Sequence, residues 1–216
     1  MRTLESVSRE RLGRPKDAQK REAILRAARD LFFAHGLDGT SIEEIAAAAN
    51  VSKVTIYGHF GDKETLLEAV IRAQAAEIEQ VLIRPRARGA PFIDMLNELG
   101  ETLLAFITAP EMEACDRLLT GEATRHPALA LRFYDAGPGY VHAQLAAVIA
   151  EAVARGEIAA DDPRRIAEDL IGLWKGNMPT ERRFGVRIHF SRAELAARVK
   201  RGTALFLRAH APGGKC

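Results

Sequence analysis

The chain is 216 residues long, 47% hydrophobic and 28% charged, with a formal net charge of +2. That length and apolar fraction can bury a core, and an aromatic content of only 6% beside abundant alanine favours helices over sheets. No apolar run approaches the ~20 residues that span a bilayer, no signal-peptide core opens the chain, and two cysteines, Cys115 and Cys216, fit neither a disulfide framework nor a metal-ligand spacing. A membrane partner and a disulfide scaffold are thereby excluded, and a cytoplasmic location is expected.

Residues 1–16 carry Arg2, Arg9, Arg11, Arg14 and Lys16 against Glu5 and Glu10, with Gly13-Arg14-Pro15-Lys16 and no periodic pattern. They read as a flexible basic arm, either laid on nucleic acid or a solvated tail. The first helix is expected from about Asp17 to His35, with Ile24, Ala27, Ala28, Leu31 and Phe32 on its inner stripe, and Gly36 closes it. Thr40 then reads as the cap of a second helix beginning near Ser41, with Glu43 placed to bond back to the Thr40 amide in a capping box. Ile42, Ile45, Ala46 and Ala49 form its inner face.

Asn50 stands where the chain must turn, and asparagine is the residue, after glycine, that takes a left-handed conformation at least cost. Ser52 caps a third helix, and Val51, Ile56 and Phe60 point inward. Lys53, Val54, Thr55, Tyr57, Gly58 and His59 are left for the other sides, a mixture of cation, hydroxyl, methyl and aromatic groups suited to a major groove. Gly61 ends this helix, Asp62 caps the next, and Lys63 lies beside an amino terminus whose free amides attract phosphate. Residues 17–63 therefore read as a helix-turn-helix domain whose partner is double-stranded DNA.

Residues 64–83 form a linking helix with Leu66, Leu67, Val70, Ile71 and Ala75 on its buried side. A polar stretch punctuated by Pro85 and Pro91 ends it. A second helical domain, 90–211, follows. Its helices are expected from Pro91 to Thr108, after Pro110, from Leu129 to Tyr134, from Tyr140 to Arg155, from the Asp162 cap with Pro163 at the first position to about Asn177, and from a Ser191–Glu194 capping box to about His210. Met95, Leu99, Leu103, Phe106, Leu118, Leu119 and Phe133 point toward one interior. Glu122, His142 and Asn97 are the few polar groups that could share it, so the set reads either as solid packing or as a cavity for an apolar or amphiphilic ligand. Cys115 reads as a small buried hydrophobe or as a thiol switch. There is no glycine-rich phosphate loop, no H-E-x-x-H and no G-x-S-x-G, and the six histidines are scattered without pairing to carboxylates at a helical metal spacing. No catalytic residue, metal or cofactor is expected.

The stretch from Thr40 to Lys63 resembles the DNA-binding domain of the TetR family of transcriptional regulators. A Val-Ser turn, a T-hydrophobic-Y-x-H-F recognition helix and a following x-x-K are met by Val51, Ser52, Thr55, Ile56, Tyr57, His59, Phe60 and Lys63. The resemblance implies that Lys53, Val54 and Thr55 meet base edges, that Tyr57 touches a base or the backbone, and that His59 and Lys63 hold phosphates, with Thr40, Ser41, Ser52 and Gly58 at the same interface. Two positions depart from the pattern: Gly58, where a large or aromatic residue is frequent, and Glu43, where arginine is. The basic arm is similar to one that some members lay into the minor groove. From Thr124 to Gly176 the sequence resembles the carboxy-terminal domain of the AefR-like subgroup, which implies a ligand-responsive core and homodimerisation through the last two helices, where Leu170, Trp174, Leu195, Val199 and Phe206 stand. The whole reads as an all-α homodimeric repressor of a palindromic operator, released by a small effector. A thiol-responsive regulator using Cys115 and a ligand-independent DNA-binding protein are the alternatives.

Overall fold

The structure, a computed structural model, describes residues 5–87, 89–159 and 161–212, with the side chains of 5–16, 77–87 and 111 left aside. All regular structure among them is α-helical: α1 (Glu5–His35), α2 (Ile42–Ala48), α3 (Lys53–Phe60), α4 (Lys63–Ala87), α5 (Phe92–Thr108), α6 (Pro110–Arg125), α7 (Pro127–Ala136), α8 (Pro138–Ala154), α9 (Pro163–Lys175), α10 (Met178–Arg183) and α11 (Arg192–Ala209). No helix among the described residues is long and apolar enough to cross a membrane. The chain divides into two compact units, residues 1–73 with 114–136 and residues 74–113 with 137–216. α4 and α6 each belong in part to both.

The first unit is built on one apolar core. Ile24, Ala28 and Phe32 of α1 meet Ile42 and Ile45 of α2, Ile56 and Phe60 of α3, Leu66, Leu67 and Val70 of α4, and Phe133 and Ala136 of α7. The inner stripe of α1 is as the periodicity predicts, but the helix begins at Glu5. The segment read as a flexible arm is thus helical backbone from residue 5 onward, in keeping with the helix formers Glu, Arg and Lys that it carries; residues 1–4 lie outside the described residues.

The second unit is organised around Trp174. Its indole has no exposure to solvent and belongs to a core drawn from α5, α8, α9 and α11. The indole fits because two neighbours lack side chains. A Cβ at Gly100 of α5 would stand 2.8 Å from Trp174 and 2.6 Å from Val199, and one at Gly202 of α11 would stand 2.9 Å from Trp174. The polar edge of the ring is satisfied inside the core, where Nε1 donates to the hydroxyl of the fully buried Thr203 at 3.0 Å. Capping is as expected at both long helices of this unit: the Asp162 carboxylate accepts from the amides of Arg164 and Arg165, and Ser191 and Glu194 form a reciprocal box. The short α10 is not foreshadowed by periodicity. Arg182 holds it in place, donating to the Ile107 carbonyl at the end of α5 and, at 3.2 Å, to Glu113.

The five residues assigned to a dimer interface are corrected by this packing. Leu170, Trp174 and Val199 have no exposure, and Leu195 and Phe206 have 5% and 1%, all within a single chain. They face their own core because the stripe that packs α9 and α11 on α5 is also the most apolar stripe those helices have.

Gly100→Ala is expected to destabilise the protein by about 1–3 kcal/mol through overpacking against Trp174 and Val199. Trp174→Phe should cost about as much through the buried hydroxyl it strands at Thr203, before the lost volume is counted. Urea denaturation checks both as a lowered midpoint with an unchanged slope.

Candidate nucleic-acid interface

The reading head is assembled from caps and turns. Ser41, not Thr40, caps α2: its hydroxyl accepts from the Glu44 amide at 3.2 Å, and the Glu44 carboxylate takes the Ser41 amide at 2.8 Å. The capping box expected at Thr40 and Glu43 is therefore one residue later. Thr40 is only 2% exposed, and its hydroxyl is turned instead to the carbonyls of Gly36 at 2.8 Å and Leu31 at 3.2 Å. A buried hydroxyl needs such partners, and here they are the end of α1.

Asn50 takes φ 52°, the left-handed turn expected of it, and lets α3 start within a few residues of the end of α2. Ser52 caps α3, accepting from the Thr55 amide at 3.1 Å, and its hydroxyl lies 2.8 Å from the Thr55 hydroxyl. At the other end Gly61, at φ 81°, turns the chain, and the Asp62 carboxylate receives the Thr65 amide at 2.6 Å. The Thr65 contacts hold the Asp62 carboxyl below its usual range.

Ile56 and Phe60 sink into the core, while the opposite side of α3 is open: Val54 is 80% exposed, Tyr57 is 52% exposed, and a Cβ at Gly58 would meet nothing within 4 Å. Among the described residues, this outward face stays open to solvent. Lys53 lies beside it and is paired, its amine 2.7 Å from the Glu43 carboxylate of α2. The hydrogen bond to Lys53 lowers the Glu43 carboxyl, and the same bond raises the Lys53 ammonium.

Two expected phosphate ligands do other work within the chain. The Lys63 amine donates to the carbonyls of Leu37 at 2.7 Å and Thr40 at 3.1 Å, clamping the α1–α2 turn to the start of α4. His59 Nε2 lies 3.2 Å from the Asp17 carboxylate, and Arg21 covers the Phe60 ring at 5.4 Å, so α1 lies along the end of α3. Thr40, Ser41, Glu43, Tyr57 and Lys63 line a shallow depression of about 390 Å³ beside α3. Of the residues expected at DNA, the structure brings all ten together around α2 and α3, with Val54, Tyr57, Gly58 and Lys53 outermost.

The expected ligand residues do not share one interior. Met95, Leu99, Leu103 and Phe106 belong to the core of the second unit, with His142 on α8 half-buried. Phe133, Leu118 and Leu119 pack in the first unit, where Glu122 of α6 is fully buried. Phe133 joins the core that α1, α2, α3 and α4 build. Four polar atoms of the second unit are buried without a hydrogen-bond partner among the described residues: Asn97 Oδ1, His142 Nε2, Glu181 Oε2 and Arg182 Nε. Cys115 is buried, and burial, with the Asp116 charge adding to it, pushes its thiol up to about 12. Such a thiol holds almost no thiolate at neutral pH, which removes the physical basis of a redox switch. Cys216 lies outside the described residues.

Comparison with known proteins agrees with this geometry. Residues 94–212 match the AefR-like transcriptional repressor carboxy-terminal domain, and residues 24–70 match the bacterial regulatory proteins of the tetR family. A TetR-family regulator from Mesorhizobium loti is 31% identical and superposes with a TM-score of 0.75 over 90% of this chain and 98% of its own. The flavonoid-responsive regulator FrrA, 29% identical, gives 0.73 over 91% of this chain and all of its own. Among curated relatives, the transcriptional repressor AcnR of Corynebacterium glutamicum is 37% identical over 31% of this chain and 36% of its own length, and the regulator AcrR of Shigella flexneri is 33% identical over 48% of each. The chain thus spans a third to a half of the length of these curated relatives. With one profile covering more than half of the chain and a second covering its helix-turn-helix, the chain belongs to the TetR family of DNA-binding transcriptional regulators.

Proposed function

We propose that the protein is a cytoplasmic repressor that binds a palindromic operator as a homodimer and releases it when a small apolar or amphiphilic molecule occupies its second unit. The observation that carries the reading is the face of α3, where Val54, Tyr57 and the bare Gly58 project from a helix whose other side is locked into the core. Val54 offers methyl groups to thymine and Tyr57 a ring and a hydroxyl to a base edge or phosphate. Lys53 reaches a phosphate or guanine by exchanging the Glu43 carboxylate for it. The two reading heads of a dimer meet successive major grooves when their spacing matches the ~34–36 Å of a helical turn or a multiple of it.

The dimer surface we assign to the outward sides of α9 and α11. Leu173 and Leu205 are 39% and 41% exposed there, with Gly172, Ala197 and Ala204 exposed beside them on the same helices. A second copy laid on this apolar, small-residue surface covers both leucines. The effector site we place in the second unit, where the unpaired Asn97 Oδ1 of α5 and His142 Nε2 of α8 stand on helices that also carry Met95, Leu99, Leu103 and Leu145 into the apolar core. Buried polar atoms without partners favour a ligand that brings them. FrrA is named for its response to flavonoids, flat aromatic molecules bearing hydroxyls, a chemistry that fits one apolar wall and two polar anchors. α4 runs from the first unit into the second and is the covalent route between ligand and reading head. A hundredfold release needs a differential affinity of about 2.7 kcal/mol, and DNA weakens the ligand by the same factor.

Glu43→Gln is expected to free Lys53 and tighten binding to operator and random DNA alike, while steepening the salt dependence of log K by about one phosphate contact. Val54→Ala should instead lower operator affinity by about 1–3 kcal/mol and leave random DNA unaffected, as a base contact does. Fluorescence anisotropy over a salt series reads both. Leu205→Glu or Leu173→Glu should yield monomers in sedimentation velocity, and an intact dimer in both would move the interface off α9 and α11. In a thermal-shift panel, an amphiphilic effector at 100 times its dissociation constant adds about 2.7 kcal/mol to the folded state. Asn97→Leu should weaken that gain, and the same compound must lower operator affinity.

A further inference from the structure

Within the first unit, three side chains from distant parts of the sequence meet at the α1–α2 turn: Asp38 from the turn, Glu122 from the last turn of α6, and His126 immediately after that helix. One ligand atom of each lies within 4.8 Å of the other two. Sequence reading found no histidine paired with a carboxylate at helical spacing, and this pair corrects it. Glu122 and His126 stand four residues apart, and the His126 amide closes the helix on the Glu122 carbonyl at 2.7 Å. Asp38 could not have been foreseen, because only the fold brings it there.

The cluster is not fully satisfied. Arg125 spans it, with Nη2 2.7 Å from Glu122 Oε1 and Nη1 3.2 Å from Asp38 Oδ2, so one guanidinium serves two carboxylates. Glu122 has no solvent exposure, yet its second oxygen, Oε2, has no hydrogen-bond partner. That atom faces His126 Nε2 at 3.8 Å, beyond hydrogen-bond reach. A buried, ionisable oxygen left unpaired beside a second carboxylate and an imidazole is an unfilled cation position.

We propose that Asp38, Glu122 and His126 bind a first-row divalent cation, which takes over the two carboxylates from Arg125. Two oxygens and one imidazole nitrogen form a donor set for Zn²⁺, Co²⁺ or Mn²⁺ rather than for Ca²⁺, which prefers an all-oxygen shell. Metal–ligand bonds of about 2.0–2.2 Å require the three atoms to draw together by about 1 Å, a rotamer adjustment open to Asp38 and His126 because both are exposed. Glu122 stays as the fixed ligand, and water completes the shell on the solvent side. Arg125, which is 57% exposed, swings into solvent as the cation enters. The metal joins the α1–α2 turn to the end of α6, a tie that the salt bridges of Arg125 already make in weaker form.

The test uses the full-length protein stripped with chelator and titrated with Co²⁺ and Zn²⁺. One Co²⁺ per chain is expected by equilibrium dialysis with elemental analysis, with a visible absorption band, and Zn²⁺ should raise the melting temperature. Asp38→Asn and His126→Ala, both exposed and tolerable to the fold, should each weaken binding at least tenfold, whereas His189→Ala, at an exposed histidine outside the cluster, should not. Arg125→Ala removes the competing cation and should tighten binding and enlarge the Zn²⁺-induced thermal shift. Glu122 is left intact, since it is fully buried and its replacement would disturb the fold itself. Absence of stoichiometric binding overturns the proposal, as does binding that Asp38→Asn and His126→Ala leave unchanged, which would assign the metal to other surface groups.

Discussion

The carbonyls at the end of α1 and in the turn that follows are held by two side chains, and the placement of the reading head follows from how they are held. The Thr40 hydroxyl serves Leu31 and Gly36 from behind, and the Lys63 ammonium serves Leu37 and Thr40 from the start of α4. A buried carbonyl left without a donor costs about 1–3 kcal/mol, so these bonds define where α2 can begin. Once α2 is fixed at Ser41, the left-handed Asn50 and the Ser52 cap allow α3 little freedom, and the helix can only present Val54 and Tyr57 outward.

That economy has an electrostatic side. Side chains that a sequence pattern assigns to DNA are already engaged with the protein: Lys63 with carbonyls, His59 with Asp17, Lys53 with Glu43. Only the last pair is fully at the surface, where an ion pair contributes little to stability and exchanges readily. In the proposed reading, Glu43 stands in for the polyanion, holding Lys53 across α2 and α3 until DNA competes for it, and the methyl and ring surfaces of α3 carry more of the direct readout than its charges.

The parts legible in the sequence are those whose causes are local. Asn50, Ser52, Gly61, Asp62, Asp162 and the Ser191–Glu194 box each act on a neighbour within a few residues, so residue type and spacing suffice to place them. The Thr40 cap slipped by one because serine and threonine are equivalent to a pattern, and only burial against α1 decides that Thr40 turns away. Trp174 and Phe206 were assigned to an interface because amphipathic periodicity reveals an apolar stripe without revealing what covers it. The covering elements are α5 and α8, far off in sequence, and the fit depends on the missing Cβ atoms of Gly100 and Gly202. The division of Met95 and Phe133 between two cores has the same origin, as does the meeting of Asp38 with Glu122 and His126.

Gly58 sits in the middle of the exposed side of α3 with open space where its side chain would be, in a helical conformation that any residue adopts. The fold asks nothing of this position; alanine there would even improve helix propensity by up to ~1 kcal/mol. On the proposed reading of α3, a group placed there enters the groove beside Val54 and Tyr57 without disturbing the core below. A single codon would then vary the set of genes answered to, and the present chain holds that position at its least committed value.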